Sequence, residues 1–319
     1  SPADSDNTGE IRFIFNNDAG QETESAIIST QISDVSDGTE DATFDIRAMS
    51  AGTMRSRIQM ETGDTVFNQD SVDIDFRVES NANTHMLFVD GGNNSIGINN
   101  STPASYDGGA DDLVVGDHSV SSQGITIASD DNSILYFADG TSGDEKYRGS
   151  IIYNHPADNF IIRTAGFNTR MTIDSTGAVT IPNQPAFLAQ PSGSQNNLSN
   201  SDSVAFASER FDQNGDFASS TFTAPVTGKY QLNLNVRLQS LDTDANYHMF
   251  QLETSNRNYQ WMVTPSGLSS DATYWFAAIN VLADMDANDT ADVHYYQSGG
   301  ADQADIEEGG TSFSGFLAC

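Results

Sequence analysis

Two short stretches place side-chain oxygens at alternate positions, the spacing with which a loop wraps a hard cation. One holds Asp284, Asp286, Asn288 and Asp289; the other holds Asp242, Asp244 and Asn246. Calcium takes carboxylate, amide and carbonyl oxygens in this way. Neither stretch has the glycine that an EF-hand needs at its sixth place, so neither is an EF-hand. The competing reading is a pair of solvated acidic turns. The first set is the candidate metal site, and calcium is the only cofactor the sequence suggests.

Other chemistry finds no constellation. His85, His118, His155, His248 and His294 are scattered, with no His-Glu-x-x-His and no paired cysteine, so zinc has no recognisable motif. Gly310-Thr311-Ser312-Phe313-Ser314 only half matches a nucleophile elbow and lies in what reads as a terminal strand. Carboxylates are numerous enough for chance pairs of the kind glycosidases use, yet no residue is singled out as catalytic. The expectation is a protein that is not an enzyme.

The charge balance narrows the partners. Against 34 Asp and 11 Glu stand two lysines, Lys146 and Lys229, and 11 arginines, for a formal net charge of -32. Such a surface repels DNA, RNA and anionic membrane. It also repels itself unless salt screens it, which suggests a saline setting; equal solubility in low salt would remove that support. The longest apolar run, Tyr274 to Ile279, is too short to span a bilayer. Cys319 is the only cysteine, so no intrachain disulfide exists and stability must come from packing or assembly. Because the chain starts at Ser1, it is expected to be a processed or truncated piece of something longer.

The elements that carry these residues are strands. Asp favours turns over helix interiors, and short apolar blocks are bounded throughout by Gly, Asn, Asp and Ser. One phrase occurs three times: Phe44 to Val66, Asp75 to Ile98 and Asn159 to Ile181. Each is a strand near an Arg, a polar turn, and a strand ending Met60-Glu61, Val89-Asp90 or Ile173-Asp174. A longer duplication makes residues 9–66 and 132–181 two copies of one unit. Leu113 to Gly116 and Gly124 to Ile127 read as further strands. Units this small cannot cover their own apolar faces, so residues 1–182 are expected to form a repetitive β-rich shaft, stacked along an axis or wrapped as three chains. An ordinary β domain with repetitive hairpins is the alternative.

The stretch from Asn183 to Asn200 is rich in Pro, Ser, Gly and Asn and marks a boundary. Beyond it Tyr230, Leu232, Leu234, Val236 and Leu238 alternate with Gln231, Asn233, Asn235 and Arg237, the pattern of a half-buried strand. Strands also fit Met249–Leu252, Tyr274–Leu282, Val293–Tyr296 and Phe313–Leu317. Many such strands without a helical period make residues 183–319 a sandwich or jelly roll. Tyr230, Phe250, Trp275, Phe276, Tyr295, Phe313 and Phe316 are expected in its core or at a subunit seam.

Two resemblances refine this. Ile134–Gly149, Tyr153–His155, Arg170–Val179 and Glu10–Glu22 resemble phrases of tail fibres of phages, marine phages especially. In place of the Gly-Ile-Gly-Thr that usually closes the phrase, this chain has Thr180-Ile181-Pro182, where the shaft is expected to end. Pro185–Phe187, Phe211–Phe217, Thr221–Tyr230 and Ser312–Leu317 resemble the complement-type globular head, whose fold is the tumour-necrosis-factor-like jelly roll. Together the resemblances imply an all-β protein with a trimeric shaft and a C-terminal ten-stranded jelly-roll head, a homotrimer outside the cell on a virion.

Its expected partners are a host-surface glycan or protein receptor and other virion tail proteins, with no nucleic acid and no membrane insertion. The loops 195–200, 242–246, 256–260, 266–271 and 299–309 are expected to carry specificity, as loops on a rigid scaffold do. Their candidate contacts are Asp242, Asp244, Asn246, Asn256, Asn258, Ser269 and Asp302. The alternatives are a secreted or cell-surface lectin-like adhesin with the same head, or a polysaccharide-degrading tailspike.

Overall fold

The computed structural model describes residues 3–319. Among the described residues the chain is all-β apart from three short 3-10 turns, and it divides into two compact units, Ser1–Thr126 and Ile127–Cys319.

In the first unit β1 (Asn7–Asn16), β2 (Glu22–Asp34), β3 (Asp41–Ser50), β4 (Thr53–Glu61) and β5 (Asp64–Phe67) form an antiparallel meander in chain order. A second sheet follows: β6 (Phe76–Val78), β7 (Leu87–Asp90) and β8 (Ser95–Ile98) run antiparallel, and β9 (Leu113–Val115) joins β8 in parallel. Residues 124–127, expected as a strand, form none. They have no ladder partner, and Ile125 and Ile127 are exposed.

The second unit opens with another five-stranded meander: β10 (Asn132–Phe137), β11 (Gly149–Asn154), β12 (Asn159–Thr164), β13 (Asn168–Ile173) and β14 (Val179–Thr180). Its kinship with the first meander reaches the backbone. The β3–β4 register shifts between Ile46 and Arg47, and the β12–β13 register shifts between Ile162 and Arg163. Both hairpins then turn on Ala-Gly, with Ala51 at φ 48° and Gly52 at 76°, Ala165 at 50° and Gly166 at 79°. Left-handed residues at a hairpin tip match the twist of the strands they join. In these two copies the phrase therefore encodes a bulge at an arginine and a turn two to four residues later; the copy at Asp75–Ile98 pairs β6 with β7 without a register shift.

These sheets are single layers. Up to residue 181 the only buried apolar side chains among the described residues are Ile27, Phe88, Pro103, Val114 and Ile152. Ile11, Phe13, Ile14 and Phe15 on β1, and Leu135, Tyr136 and Phe137 on β10, are all exposed.

The sheets change at Pro182. The head consists of β15 (Ala186–Gln190), β16 (Asp202–Ser203), β17 (Ser208–Asp212), β18 (Phe217–Ala218), β19 (Thr221–Thr223), β20 (Gly228–Leu241), β21 (Ala245–Thr254), β22 (Asn258–Val263), β23 (Ala272–Met285), β24 (Thr290–Gly299), β25 (Asp305–Ile306) and β26 (Ser312–Leu317). One sheet has the order β17-β15-β26-β20-β23 and the other β18-β19-β24-β21-β22, with β25 added to β20 and β16 to β24. First and last strands paired in one sheet, with the chain crossing between sheets, make a jelly-roll sandwich of twelve strands, ten on the two main paths and the short β16 and β25 added to them, where ten were expected. The compact-unit boundary falls after Thr126 rather than at 182/183. The second meander is tied to the head by Gln213 Nε2, which donates to the carbonyls of Ile181 (2.9 Å) and Pro182 (3.1 Å), and by Asn214 Nδ2, which donates to that of Asn183 (2.9 Å).

The alternation of β20 does what its pattern demands: Tyr230, Leu232, Leu234, Val236 and Leu238 are fully buried between the sheets. Phe187 stacks on Phe217 and Phe222 with centroids 4.8 Å away and meets Phe313 edge-on at 5.1 Å. The motif around Asp212 has a local cause as well, because its carboxylate accepts the amide N–H groups of Gly215, Asp216 and Phe217 and closes the turn. Of the seven aromatics expected in the core or at a seam, Tyr230, Phe250, Tyr295 and Phe313 are core, whereas Phe276 and Phe316 lie exposed on the outer face of the first sheet.

Candidate functional site

The ladder sorts the expected contact loops between the two ends of the sandwich. β20 ends at Leu241, β23 begins at Ala272 opposite it, and β21 begins at Ala245 opposite Gly299. The loops 242–246, 266–271 and 299–309 therefore meet at one end, the apex. The 195–200 loop joins them through Asn197 N–H, which donates to Asp305 Oδ1 at 2.7 Å. The 256–260 segment lies at the opposite end, because Glu253 pairs with both Asn258 and Asp292 and the adjoining loop sits beside Asp284. Asn256 and Asn258 are thus not apical contacts. They sit where β15 enters the head and β26 leaves it.

Asp242 departs from expectation in another way. It is buried, and its carboxylate accepts the N–H groups of Asp244 and Ala301, so it holds the apex together from within. Asp244, Asn246, Ser269 and Asp302 are exposed and remain available for contact. Four bracing residues, Thr243, Asp271, Gln303 and His248, carried no sequence signal for this role. Asp271 Oδ1 accepts from Thr243 N–H (2.9 Å) and Thr243 Oγ1 (2.8 Å), and its Oδ2 accepts from Gln303 Nε2 (2.8 Å). The bond from the Thr243 amide is the main reason that the Asp271 carboxyl lies below its ordinary value. His248, in the core beneath, accounts for the third tie.

Between these loops opens a cleft lined by Asn197, Ser240, Asp271, Thr273, Gln303 and Asp305. Carboxylates, amides and hydroxyls can exchange hydrogen bonds with the hydroxyls of a neutral ligand. The four apical loops contain Asp242, Asp244, Asp271, Asp302 and Asp305 but no Lys or Arg, so an anionic ligand would be repelled.

The candidate calcium loop is at the other end, and two of its three carboxylates are already engaged. Asp284 forms a two-pronged ion pair with Arg257, Nε at 3.0 Å and Nη2 at 2.7 Å, which brings its carboxyl down to about 2. Asp289 Oδ2 accepts from Asn256 Nδ2 (2.9 Å) and Asp286 N–H (2.8 Å). Asp286 and Asn288 point outward, and the three carboxylates do not gather within ligand distance of one another. At Asp284 and Asp289 the spaced oxygens are thus taken up by an internal ion pair and by turn bonds.

No family model matches this chain, and no curated protein matches it. Among solved structures it is similar to the globular domain of zebrafish complement 1qA protein, at 15% identity over 43% of this chain and 98% of that chain, with a TM-score of 0.34. It is similar also to Eiger TNF from S. frugiperda (11% identity, 43% of this chain, 92% of that chain, TM-score 0.33) and to murine APRIL at pH 5.0 (13%, 42%, 98%, TM-score 0.31).

Proposed function

We propose that the protein is a homotrimeric tail-fibre adhesin of a virion, which attaches to a host-cell surface through the apical loops of its head and acts by binding rather than by catalysis. The observation that carries the assembly is the single-layer build of the meanders. Apolar side chains on β1 and β10 face water in one chain, and an uncovered sheet of this kind is not stable by itself. Further copies of the same chain supply the cover. The head offers a matching surface: Tyr274, Phe276 and Leu282 on β23, Phe316 on β26 and Phe211 on β17 are all exposed on its first sheet.

The virion assignment rests on the resemblance of the shaft phrases to phage tail fibres. The apical cleft, with hydroxyl-compatible groups and no cationic side chain in its loops, favours a neutral glycan as receptor. Three heads held together convert weak contacts into avidity through high effective concentration. The test is sedimentation of the purified chain, then binding of labelled protein to candidate bacterial cells with released reducing sugar assayed in parallel. A trimer that binds cells and releases no sugar is the expected result. Monomers at micromolar concentration would overturn the assembly, sugar release would favour a tailspike, and binding to animal or plant glycans without binding to bacteria would favour a lectin-like adhesin of another origin.

A further inference from the structure

The second sheet of the head carries a cluster that neither the loops nor the apex uses. β21 and β24 are paired so that Glu253 stands opposite Asp292 and Gln251 opposite His294. Leu252, Val293 and Tyr295 point into the core, and strand alternation therefore turns Glu253, Asp292 and His294 outward on one face. Like charges set directly opposite in a ladder repel. Neither carboxylate has a Lys or Arg ion-pair partner among the described residues; the imidazole is the one basic group beside them, with His294 Nε2 3.7 Å from Asp292 Oδ2.

The three side chains are already gathered for a shared ion. One ligand atom from each lies within 4.8 Å of the other two. Their surroundings orient them. Tyr296 hydroxyl (2.7 Å) and Gln251 Nε2 (2.9 Å) both donate to Glu253 Oε1, which leaves Oε2 for a ligand. Gln251 is held in turn by Gln260 Nε2, which donates to its Oε1 at 2.8 Å. His294 Nδ1 lies 3.4 Å from Ser203 Oγ on β16, so a proton on Nδ1 directed at that hydroxyl leaves the Nε2 lone pair facing the carboxylates. Metal-binding histidines are set by partners of this kind. The Asp292 and His294 side chains remain 40% and 22% exposed, so an ion and its waters can enter.

We propose that Glu253, Asp292 and His294 bind a divalent first-row transition metal, zinc being the ion with which to test it. An imidazole selects against calcium and magnesium, which prefer all-oxygen sets. Three protein ligands with water completing the shell make an open zinc site. The ion neutralises the facing carboxylates and clamps two neighbouring strands. It uses residues other than those of the apical loops and of the Asp284 loop, and it does not depend on the adhesin reading.

The experiment is calorimetric titration of chelator-stripped full-length protein with zinc and, separately, with calcium at neutral pH, with thermal melts in parallel. One zinc per chain, a raised melting temperature reversed by chelator and no comparable effect of calcium are expected. His294→Ala and Glu253→Gln abolish the zinc heat, Ser203→Ala weakens it about tenfold, and Asp286→Asn leaves it unchanged. Zinc-dependent shifts of the His294 ring resonances in the unaltered protein keep the proposal testable if a variant fails to fold. No zinc binding, or zinc binding that survives both ligand substitutions and leaves the His294 ring unmoved, overturns it.

Discussion

His248 Nε2 donates to the backbone carbonyl of Asp242 at 2.9 Å, and this bond ties the apical loop to the middle of the core. It belongs to a ring. The Tyr295 hydroxyl lies 2.5 Å from His248 Nδ1 and 2.7 Å from Gln297 Oε1, with one proton to give to either; Gln297 Nε2 donates to the carbonyls of Gly299 and Ala301 at 2.9 Å; and the Ala301 N–H returns to the Asp242 carboxylate. His248 and Tyr295 are fully buried, and burial is the main cause that pushes the Tyr295 hydroxyl well above its ordinary value. A buried network of this kind rigidifies what it joins as long as each member is satisfied.

Breaking the ring at its buried histidine should loosen the apex without touching any exposed residue. His248→Ala leaves the Asp242 carbonyl without this donor and removes one partner of Tyr295, so a loss of about 2–3 kcal/mol is expected in urea unfolding. Cell binding should fall as well, although His248 cannot reach a ligand. A variant that binds normally and unfolds at the same urea concentration would show the ring to be dispensable.

Asp271 gives the apex a pH dependence whose sign follows from its bonds. Its folded carboxyl is depressed below the ordinary 3.8, first by the Thr243 amide and next by the Thr243 hydroxyl. A depressed carboxylate stabilises the fold above its unfolded value, and that contribution disappears as pH falls through the folded value. Protection of the Thr243 amide against hydrogen exchange, corrected for intrinsic rate, should therefore hold at neutral pH and decline below 3.8. Asp271→Ala should show weak protection at every pH; an identical profile in wild type and variant would refute the latch.

The division between what the sequence reveals and what it hides runs along contact range. β20 was legible because alternation of Tyr230, Leu232, Leu234, Val236 and Leu238 is a local property with a single structural answer. The repeated phrase was legible because Met60-Glu61, Val89-Asp90 and Ile173-Asp174 recur after strands near Arg47, Arg77 and Arg163. The placement of Asn256 was not, since only the pairing of β21 with β22 and β24 decides which end of the sandwich its loop occupies. Oxygen spacing misled at Asp284 for a related reason: Arg257 lies 27 residues away in sequence and arrives by that same pairing. The inward turn of Asp242 likewise depends on Ala301, 59 residues on.

Gly315 tests the closing motif of the head. A Cβ there would lie 2.7 Å from Leu232 Cδ2 and 2.8 Å from Phe187 Cε1, both side chains being buried at the centre of the sandwich. Neither can swing into open space, so Gly315→Ala should cost about 1–3 kcal/mol through overpacking. Chemical denaturation of the wild type and variant measures it. An unchanged midpoint would mean that the core around Phe187 yields more easily than its packing implies.

The apolar outer face of the first sheet should decide assembly of the head. Phe276 is 63% exposed on β23 and Phe316 46% exposed on β26, with the outward Gln231 paired to Phe316 on one side and Leu282 on the other. Burying a phenylalanine fully is worth about 1.5–3 kcal/mol, whereas burying an unpaired carboxylate in its place is strongly unfavourable. Phe276→Asp should therefore shift sedimentation of the protein toward smaller species. Its circular dichroism should stay unchanged, because the side chain makes no part of the monomer core. Pairing it with Phe13→Asp, on the exposed β1, separates the contributions of head and shaft. If both substitutions leave the sedimentation of the protein unchanged, the apolar stripe does not carry its assembly.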